Sequence, residues 1–295
     1  MTVPGTAGPD MIATAEGGDM RGRRETRILC GIILAVAGAN AFAEAEYRFS
    51  ASASCDLASA YMSTSGGLYD TCPVSTQALD WRQNLGDFGY IDGYFWAVSA
   101  LHDKQHENHR ALFYCAEGAV RYGYDLAFAD DFVLRTRCGP FWSLAIGYDD
   151  AHMKCWGPTA AQSLDNPYVV PYWRGLWLLE PHQRGRVAAG CKKSFDLFEG
   201  ASLTVFAESV WMDHRRFYAR YGGEPEEKKL LGGAVAFILF GVKFDWRVAE
   251  DVKLRASASQ YDVINPQARD AIRRGGHYYD KCDWPIFKIG VTYEF

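Results

Sequence analysis

The sequence contains no apolar run long enough to cross a membrane as a helix. Beyond the N-terminal region, the longest run extends from Leu230 to Val242, thirteen residues that include three glycines and lie between Lys229 and Lys243. A transmembrane helix needs about 20 predominantly apolar residues. The composition, 48% hydrophobic and 23% charged, is close to that of a soluble protein. A bundle of membrane helices is therefore excluded.

The chain also lacks a basic balance and recognisable catalytic or metal-binding patterns. Its formal charge of -5 argues against nucleic acid as a partner, because such partners need a basic surface. No Cys-x-x-Cys pair occurs. We interpret His102, His106 and His109 as part of a solvated loop rather than a metal site. The segment Asp149–His152 brings acids close to a histidine but has no evident serine partner. We therefore expect no catalytic residue, metal or cofactor.

The N-terminal region has the three parts of a secretory signal peptide. Four arginines precede an apolar run of about twelve residues, Ile28 to Ala39, and Ala41-Phe42-Ala43 follows as a cleavage site. We expect residues 1–43 to be an N-terminal extension and signal, cleaved after Ala43, and residues 44–295 to form the mature domain. Translation from Met20 would give a signal of ordinary length, and Met1 remains the alternative start.

The last strand of the chain has the clearest pattern. One face carries five apolar residues, Phe287, Ile289, Val291, Tyr293 and Phe295, which alternate with Lys288, Gly290, Thr292 and Glu294. Aromatic residues make up 15% of the chain and favour strands. A final strand with one apolar face and an aromatic last residue is typical of outer-membrane barrels. We expect the barrel-assembly machinery to read these five apolar residues as its signal.

Connections of two lengths separate the predicted strands. Short turns at 86–87, 129–131, 199–200 and 249–251 alternate with longer polar loops at 63–73, 102–109, 149–166, 213–229 and 262–283. Ten strands are well defined, and twelve result if Pro167–Gly185 supplies a further pair, which we predict. The fold class is therefore all-β: an up-and-down antiparallel transmembrane β-barrel with short periplasmic turns and long outer loops. A soluble periplasmic sandwich is the alternative.

Charged residues fall on the strand faces that we assign to the barrel interior. They are Glu117, Arg121, Asp125, Glu208, Lys243, Asp245, Arg247, Lys253, Arg255, Lys288 and Glu294. Such a lumen is either an open filter for solutes or a closed plug of ion pairs. We predict a porin-like passive channel for small solutes in the outer membrane of a Gram-negative bacterium, surrounded by outer-membrane lipid. A closed structural or adhesive barrel is the first alternative, and a lipid-modifying barrel enzyme is the second.

Seven cysteines remain after the predicted cleavage, so at least one is unpaired. Cys72, Cys155 and Cys282 lie in or beside predicted outer loops, where a disulfide between two of them is feasible in an oxidising compartment. We expect Cys55, Cys115 and Cys191 to be small residues of the barrel wall.

Several stretches resemble the TorF-type porins and related small outer-membrane barrels. These are the first hairpin, Asp56 to Gln77, the strand ending Gly147-Tyr148, and Lys192 to Val205. The chain departs from that family where Ser65-Gly66 replaces the Arg-Gly that often ends the first strand. The resemblance covers most of the mature chain and implies a porin-like role without catalytic residues.

Overall fold

The structure, a computed structural model, describes residues 48–62, 68–70, 73–101, 113–146, 152–179, 184–213, 234–275 and 281–295. The predicted signal peptide lies outside these ranges, as do His102, His106, His109 and Cys72.

Twelve antiparallel strands close into a barrel, as predicted. The elements along the chain are β1 Phe49–Ala58, β2 Tyr61–Met62, β3 Leu68–Asp70, β4 Val74–Asn84, β5 Tyr90–Ala100, β6 Phe113–Ala129, β7 Phe132–Ile146, β8 His152–Asp165, β9 Val170–Leu178, β10 Arg184–Phe198, β11 Ala201–Met212, β12 Ala234–Ala249, β13 Val252–Asp262, α1 Pro266–Gly275 and β14 Asp283–Glu294. The short strands β2 and β3 pair with each other outside the barrel sheet. Each barrel strand pairs with the next along the chain, and β1 pairs with β14 to close the ring. The closed ring also differs from the two packed sheets of a sandwich.

The short connections all lie at one end of the barrel, where β1 begins and β14 ends. They are residues 85–89, 130–131, 166–169, 199–200 and 250–251. Gly200 has a φ of 74° and Gly89 a φ of 88°, and glycine adopts this left-handed region readily because it has no Cβ. The longer connections lie at the opposite end. This asymmetry matches the predicted arrangement of turns and loops.

The predicted loop 149–166 is wrong, because most of it is strand β8, which pairs with both β7 and β9. The two short strands predicted within Pro167–Gly185 are instead one strand, β9. Small and polar residues occupy both faces of β8, so its alternation is weak. Pro158 in β8 lies opposite Pro140 in β7. Two prolines can face each other at a non-hydrogen-bonded position of an antiparallel ladder, so Gly139-Pro140 does not interrupt β7.

The outer surface of the barrel is apolar. Phe287 and Ile289 on β14 are 58% and 62% exposed, and Phe295, which follows the strand, is 49% exposed. Exposed aromatic residues cluster near both ends of the strands: Trp142, Trp156 and Trp177 toward the loop end, and Phe128, Phe198, Trp246 and Tyr293 toward the turn end. An apolar band between two aromatic belts is the exterior of a barrel embedded in a bilayer. Among the described residues, no helix has the length and hydrophobicity needed to cross a membrane.

Two tryptophans on the outer surface cover glycines of the neighbouring strand. Trp142 lies opposite Gly118 across the β6–β7 ladder, and Trp81 lies opposite Gly93 across the β4–β5 ladder. A Cβ atom added at either glycine would overlap the indole ring. Each glycine therefore provides the space in which its partner's ring packs.

Candidate site in the barrel lumen

The structure places all eleven of the predicted lumen-lining residues on the face opposite the apolar exterior. The pairing register shows this directly, because directly paired residues share a face. Lys243 pairs with Ser257, which pairs with Lys288, whereas the adjacent Val242 and Phe287 are exposed on the outer surface. The full set on the inner face is Glu117, Arg121, Asp125, Glu208, Lys243, Asp245, Arg247, Lys253, Arg255, Lys288 and Glu294.

Several inner-face ion pairs reach across an intervening strand. Arg82 on β4 contacts Asp125 on β6 at 3.4 Å, and Arg247 on β12 contacts Glu294 on β14 at 3.0 Å. Arg255 on β13 pairs with Asp56 on β1, with β14 between them. Side chains on the concave face of a closed sheet converge, so long arginines reach past one neighbour. Ion pairs inside the barrel therefore connect strands that are not neighbours, which a single hairpin cannot do.

Asp92 on β5 binds two arginines. The Nε of Arg121 donates to Oδ1 of Asp92 at 2.6 Å, and Nη1 of Arg137 donates to Oδ2 at 3.3 Å. The guanidinium of Arg121 also lies 5.1 Å from the centre of the Tyr94 ring, within cation–π range. One buried carboxylate thus serves two cations, and the cluster has a formal charge of +1.

A second cluster surrounds Glu208 on β11. Nη2 of Arg174 lies 2.8 and 2.9 Å from the two carboxylate oxygens, and the hydroxyl of Tyr172 donates to Oε2 at 3.2 Å. The side chain of Glu208 is 4% exposed, whereas that of Arg174 is 57% exposed. The carboxylate is held against the wall while the guanidinium extends into the lumen.

Lys288 differs from the other basic residues of the interior. It makes no hydrogen bond or ion pair with any residue that the structure describes, and Asp56, a carboxylate that acts on it electrostatically, is paired with Arg255. Its side chain lines two separate cavities of the lumen. An ammonium group in this position is available to a solute.

Three cavities lined by described residues follow one another inside the lumen. One of about 520 Å³ lies toward the turn end, and two smaller ones of about 280 and 220 Å³ lie beyond it. A further cavity of about 540 Å³ lies at the rim of the turn end. Leu239 lines all three cavities, Trp96 lines the two smaller ones, and Phe206 lines the 520 and 220 Å³ cavities. An apolar waist of these three residues therefore separates polar compartments.

The helix α1 lies in the predicted polar loop 262–283 and packs against the inner wall. The side-chain oxygen of Asn265 accepts hydrogen bonds from the backbone N–H groups of Gln267 and Ala268, both at 3.0 Å, and so caps the helix. Ala268 and Ile272 are buried in one cluster with wall residues that include Val210, Met212, Phe237 and Tyr261. Because Phe237 and Tyr261 point inward, α1 occupies part of the mouth of the barrel at its loop end.

The sequence reasoning missed several residues of these clusters. Arg174 and Tyr172 belong to β9, and Asp165, which pairs with Arg135 at 2.8 Å, ends β8. Both strands lay in the stretch where the strand assignment failed. Asp92 could have been found, since it is two residues from Tyr94 on a recognised strand and shares its face.

Within the described part of the chain, most cysteines are residues of the barrel wall. Cys55, Cys138, Cys191 and Cys282 are free thiols, so Cys282 takes no part in the disulfide considered among Cys72, Cys155 and Cys282. Cys155 lies in β8 and not in a loop, and Cys115 is buried on the inner face. Burial raises the pKa of the Cys282 thiol, which lies in the cluster beneath α1.

Comparisons with known proteins find solved outer-membrane barrels at low similarity. No family model and no curated protein matches the chain, so the resemblance to TorF-type porins stays a prediction. The KdgM porin has 9% identity and a TM-score of 0.43, over 83% of this chain and 99% of that one. An outer membrane channel from Pseudomonas putida F1 has 12% identity and a TM-score of 0.49, over 84% and 95%. LpxR from Salmonella typhimurium, at 12% and 0.40, covers 82% and 99%. Likeness at this level does not carry function from one chain to another.

Proposed function

We propose that this protein is a porin-like channel of the outer membrane through which small water-soluble solutes diffuse passively. The observation that carries the proposal is a lumen lined by charged and hydroxyl side chains inside a barrel with an apolar exterior. A barrel serving only as a wall could fill its interior with packed apolar residues. This one keeps cavities of about 520, 280 and 220 Å³ with ionisable linings.

The apolar waist lies where the cavities of the proposed pathway adjoin. The waist is formed by the side chains of Leu239, Phe206 and Trp96, which can change rotamer as a solute passes. The cavities on either side share polar lining residues as well, since Arg174 and Glu208 face both the 520 and the 280 Å³ cavities. The compartments are therefore neighbours along one lumen.

Outer-membrane lipid is the proposed environment of the apolar band, and the barrel-assembly machinery is the proposed partner of β14. The residues offered to that machinery are the exposed set Phe287, Ile289, Val291, Tyr293 and Phe295. Export through a signal cleaved after Ala43 brings the chain to the periplasm, where the short turns would remain.

Planar-bilayer recording of the purified protein tests the channel. Discrete openings are expected, and Leu239→Trp should lower the single-channel conductance because it enlarges the waist residue. Phe240→Trp is the matched control, since Phe240 is the next residue of β12 and is exposed on the outer surface. Loss of conductance in both variants, or the absence of openings in the wild-type protein at every voltage, would contradict the proposal.

The alternative is a closed barrel with a structural or adhesive role. It is favoured by the ion pairs that bridge across strands, including Arg174 with Glu208 and Arg255 with Asp56. A barrel that reaches the membrane, migrates on gels as a folded species and never conducts would support this alternative.

A further inference from the structure

The linings of the three cavities carry an excess of positive charge. The 520 Å³ cavity is lined by six basic residues, Arg82, Arg135, Arg137, Arg174, Lys192 and Lys243, and by three acidic ones, Asp92, Asp165 and Glu208. Six against three leaves a formal +3 at neutral pH, within a chain whose total is -5. The negative charge of the protein therefore lies elsewhere than on this lining.

Acidic residues mark the turn end of the barrel outside the lumen. Among the short connections, residues 130–131 are Asp130 and Asp131, and residues 250–251 are Glu250 and Asp251. All four are exposed. The charge of the protein is thus divided between an acidic rim and a basic interior.

The 220 Å³ cavity has the simplest charge pattern of the three. The charged residues that line it, within the described part of the chain, are Lys243 and Lys288, and no carboxylate joins them. Lys243 pairs with Asp245 at 2.9 Å, and Lys288 has no such pair among the described residues. A deeply placed ammonium without a carboxylate partner favours an anion beside it.

Hydroxyl groups and an apolar wall complete this cavity. Thr76, Ser257 and Ser259 supply hydroxyl donors, and Trp96, Phe206 and Ile286 supply apolar surface. Ammonium and hydroxyl donors suit an oxyanion, because hydrogen bonds in which one partner is ionised are the stronger ones. The apolar side suits an organic body attached to that oxyanion, and the volume limits the solute to a small one.

We propose that the lumen prefers anions and that Lys288 and Lys243 form its binding site, which takes the carboxylate group of a small organic acid. This inference rests on the proposed channel, whose solute class it specifies. Lys288 is the central residue, because its charge is not already balanced by an ion pair. The arginines of the 520 Å³ cavity raise the local concentration of anions on the turn side of the site.

Reversal potentials under a salt gradient test the preference for anions. The wild-type channel should pass chloride in preference to potassium, and Lys288→Glu should shift the ratio toward potassium. Lys288→Gln should have an intermediate effect. Lys193→Gln is the control. It removes one positive charge as Lys288→Gln does, but Lys193 lies on the outer face of β10, opposite to the face of its neighbour Lys192. A cation-selective wild-type channel, or equal shifts in Lys288→Gln and Lys193→Gln, would overturn the inference and leave the channel standing.

Calorimetric titration with benzoate in detergent tests the site without requiring conduction, and benzamide is the neutral control ligand. Benzoate should bind and benzamide should not, and Lys288→Gln should weaken benzoate binding by about tenfold, the effect of one charge-assisted hydrogen bond. Heat-modifiable migration shows that each variant is folded. Benzoate binding in a barrel that does not conduct would keep the site and overturn the channel. No difference between benzoate and benzamide would overturn the site.

Discussion

Replacement of Arg174 by glutamine should destabilise the barrel, because it leaves the Glu208 carboxylate buried without its cation. Two hydrogen bonds from Nη2, at 2.8 and 2.9 Å, would be lost, and the Tyr172 hydroxyl at 3.2 Å would remain. Breaking a buried ion pair by removing one partner costs about 3–5 kcal/mol. Arg174 is 57% exposed to the lumen, so water replaces part of the interaction and we expect about 2 kcal/mol.

A double-mutant cycle isolates this interaction. Glu208→Gln alone should cost about 1 kcal/mol, the net value of ordinary hydrogen bonds. The double variant should cost less than the sum of the two, because no charge remains unpaired, with a coupling energy of about 2 kcal/mol.

Guanidinium unfolding in phospholipid vesicles, followed by tryptophan fluorescence, measures these free energies. Arg135→Gln is the control, since its pair with Asp165 is 45% and 35% exposed and should be worth less than about 1 kcal/mol. If Arg174→Gln unfolds like the wild type, or if the two single effects simply add, Glu208 does not depend on Arg174.

Three further predictions concern the seam, the wall and the mouth. Deletion of Phe295 removes one backbone hydrogen bond, at 2.9 Å to Ala51, and one ring contact. It should lower the free energy of unfolding by only about 1 kcal/mol but reduce the amount of protein in outer-membrane fractions severalfold. Unchanged amounts would contradict the role of Phe295 as an assembly signal. Gly118→Ala should lower the free energy of unfolding by about 1–3 kcal/mol, because the added methyl group displaces the Trp142 ring. Gly175→Ala is the control: an added Cβ there meets its nearest neighbour at 3.4 Å, so the free energy measured in the same unfolding experiment should hardly change. Ile272→Asp should release α1 and speed maleimide labelling of Cys282 at pH 8, because removing the cover lowers a thiol pKa that burial raises and opens the thiol to the reagent. Mass spectrometry of the Cys282 peptide measures the rate, and an unchanged rate would mean that α1 does not cover this thiol.

The barrel could be predicted because lipid and water impose a period of two on strands such as β14. Where both faces carry small residues, as in β8, that period disappears, and Trp156 alone does not define a strand. The total of twelve was nevertheless correct, because the missed strand β8 was offset by counting β9 as two strands.

The lumen clusters were only partly predictable. The alternation of side chains along each strand placed Arg121 and Lys288 on the inner face. Which residues they contact there depends on the register between neighbouring strands. Asp92 meets Arg121 from the adjacent strand and Arg137 from the strand beyond it, and no local pattern contains that relation. The helix α1 was not predicted because its described residues include only two buried apolar ones, Ala268 and Ile272, too few to stand out in a polar segment.

The ladder between β1 and β14 has a consequence for the order of folding. Its seven residue pairs, from Ser52 with Glu294 to Ala58 with Lys288, join the two most distant strands of the chain, while every other neighbour in the ring follows directly along the sequence. Local hairpins form at small cost in chain entropy, and contacts between distant segments form slowly. The eleven other ladders can therefore assemble as an open, curved sheet, and the seam between β1 and β14 closes last. The rate at which this protein matures should accordingly depend on that seam more than on any hairpin.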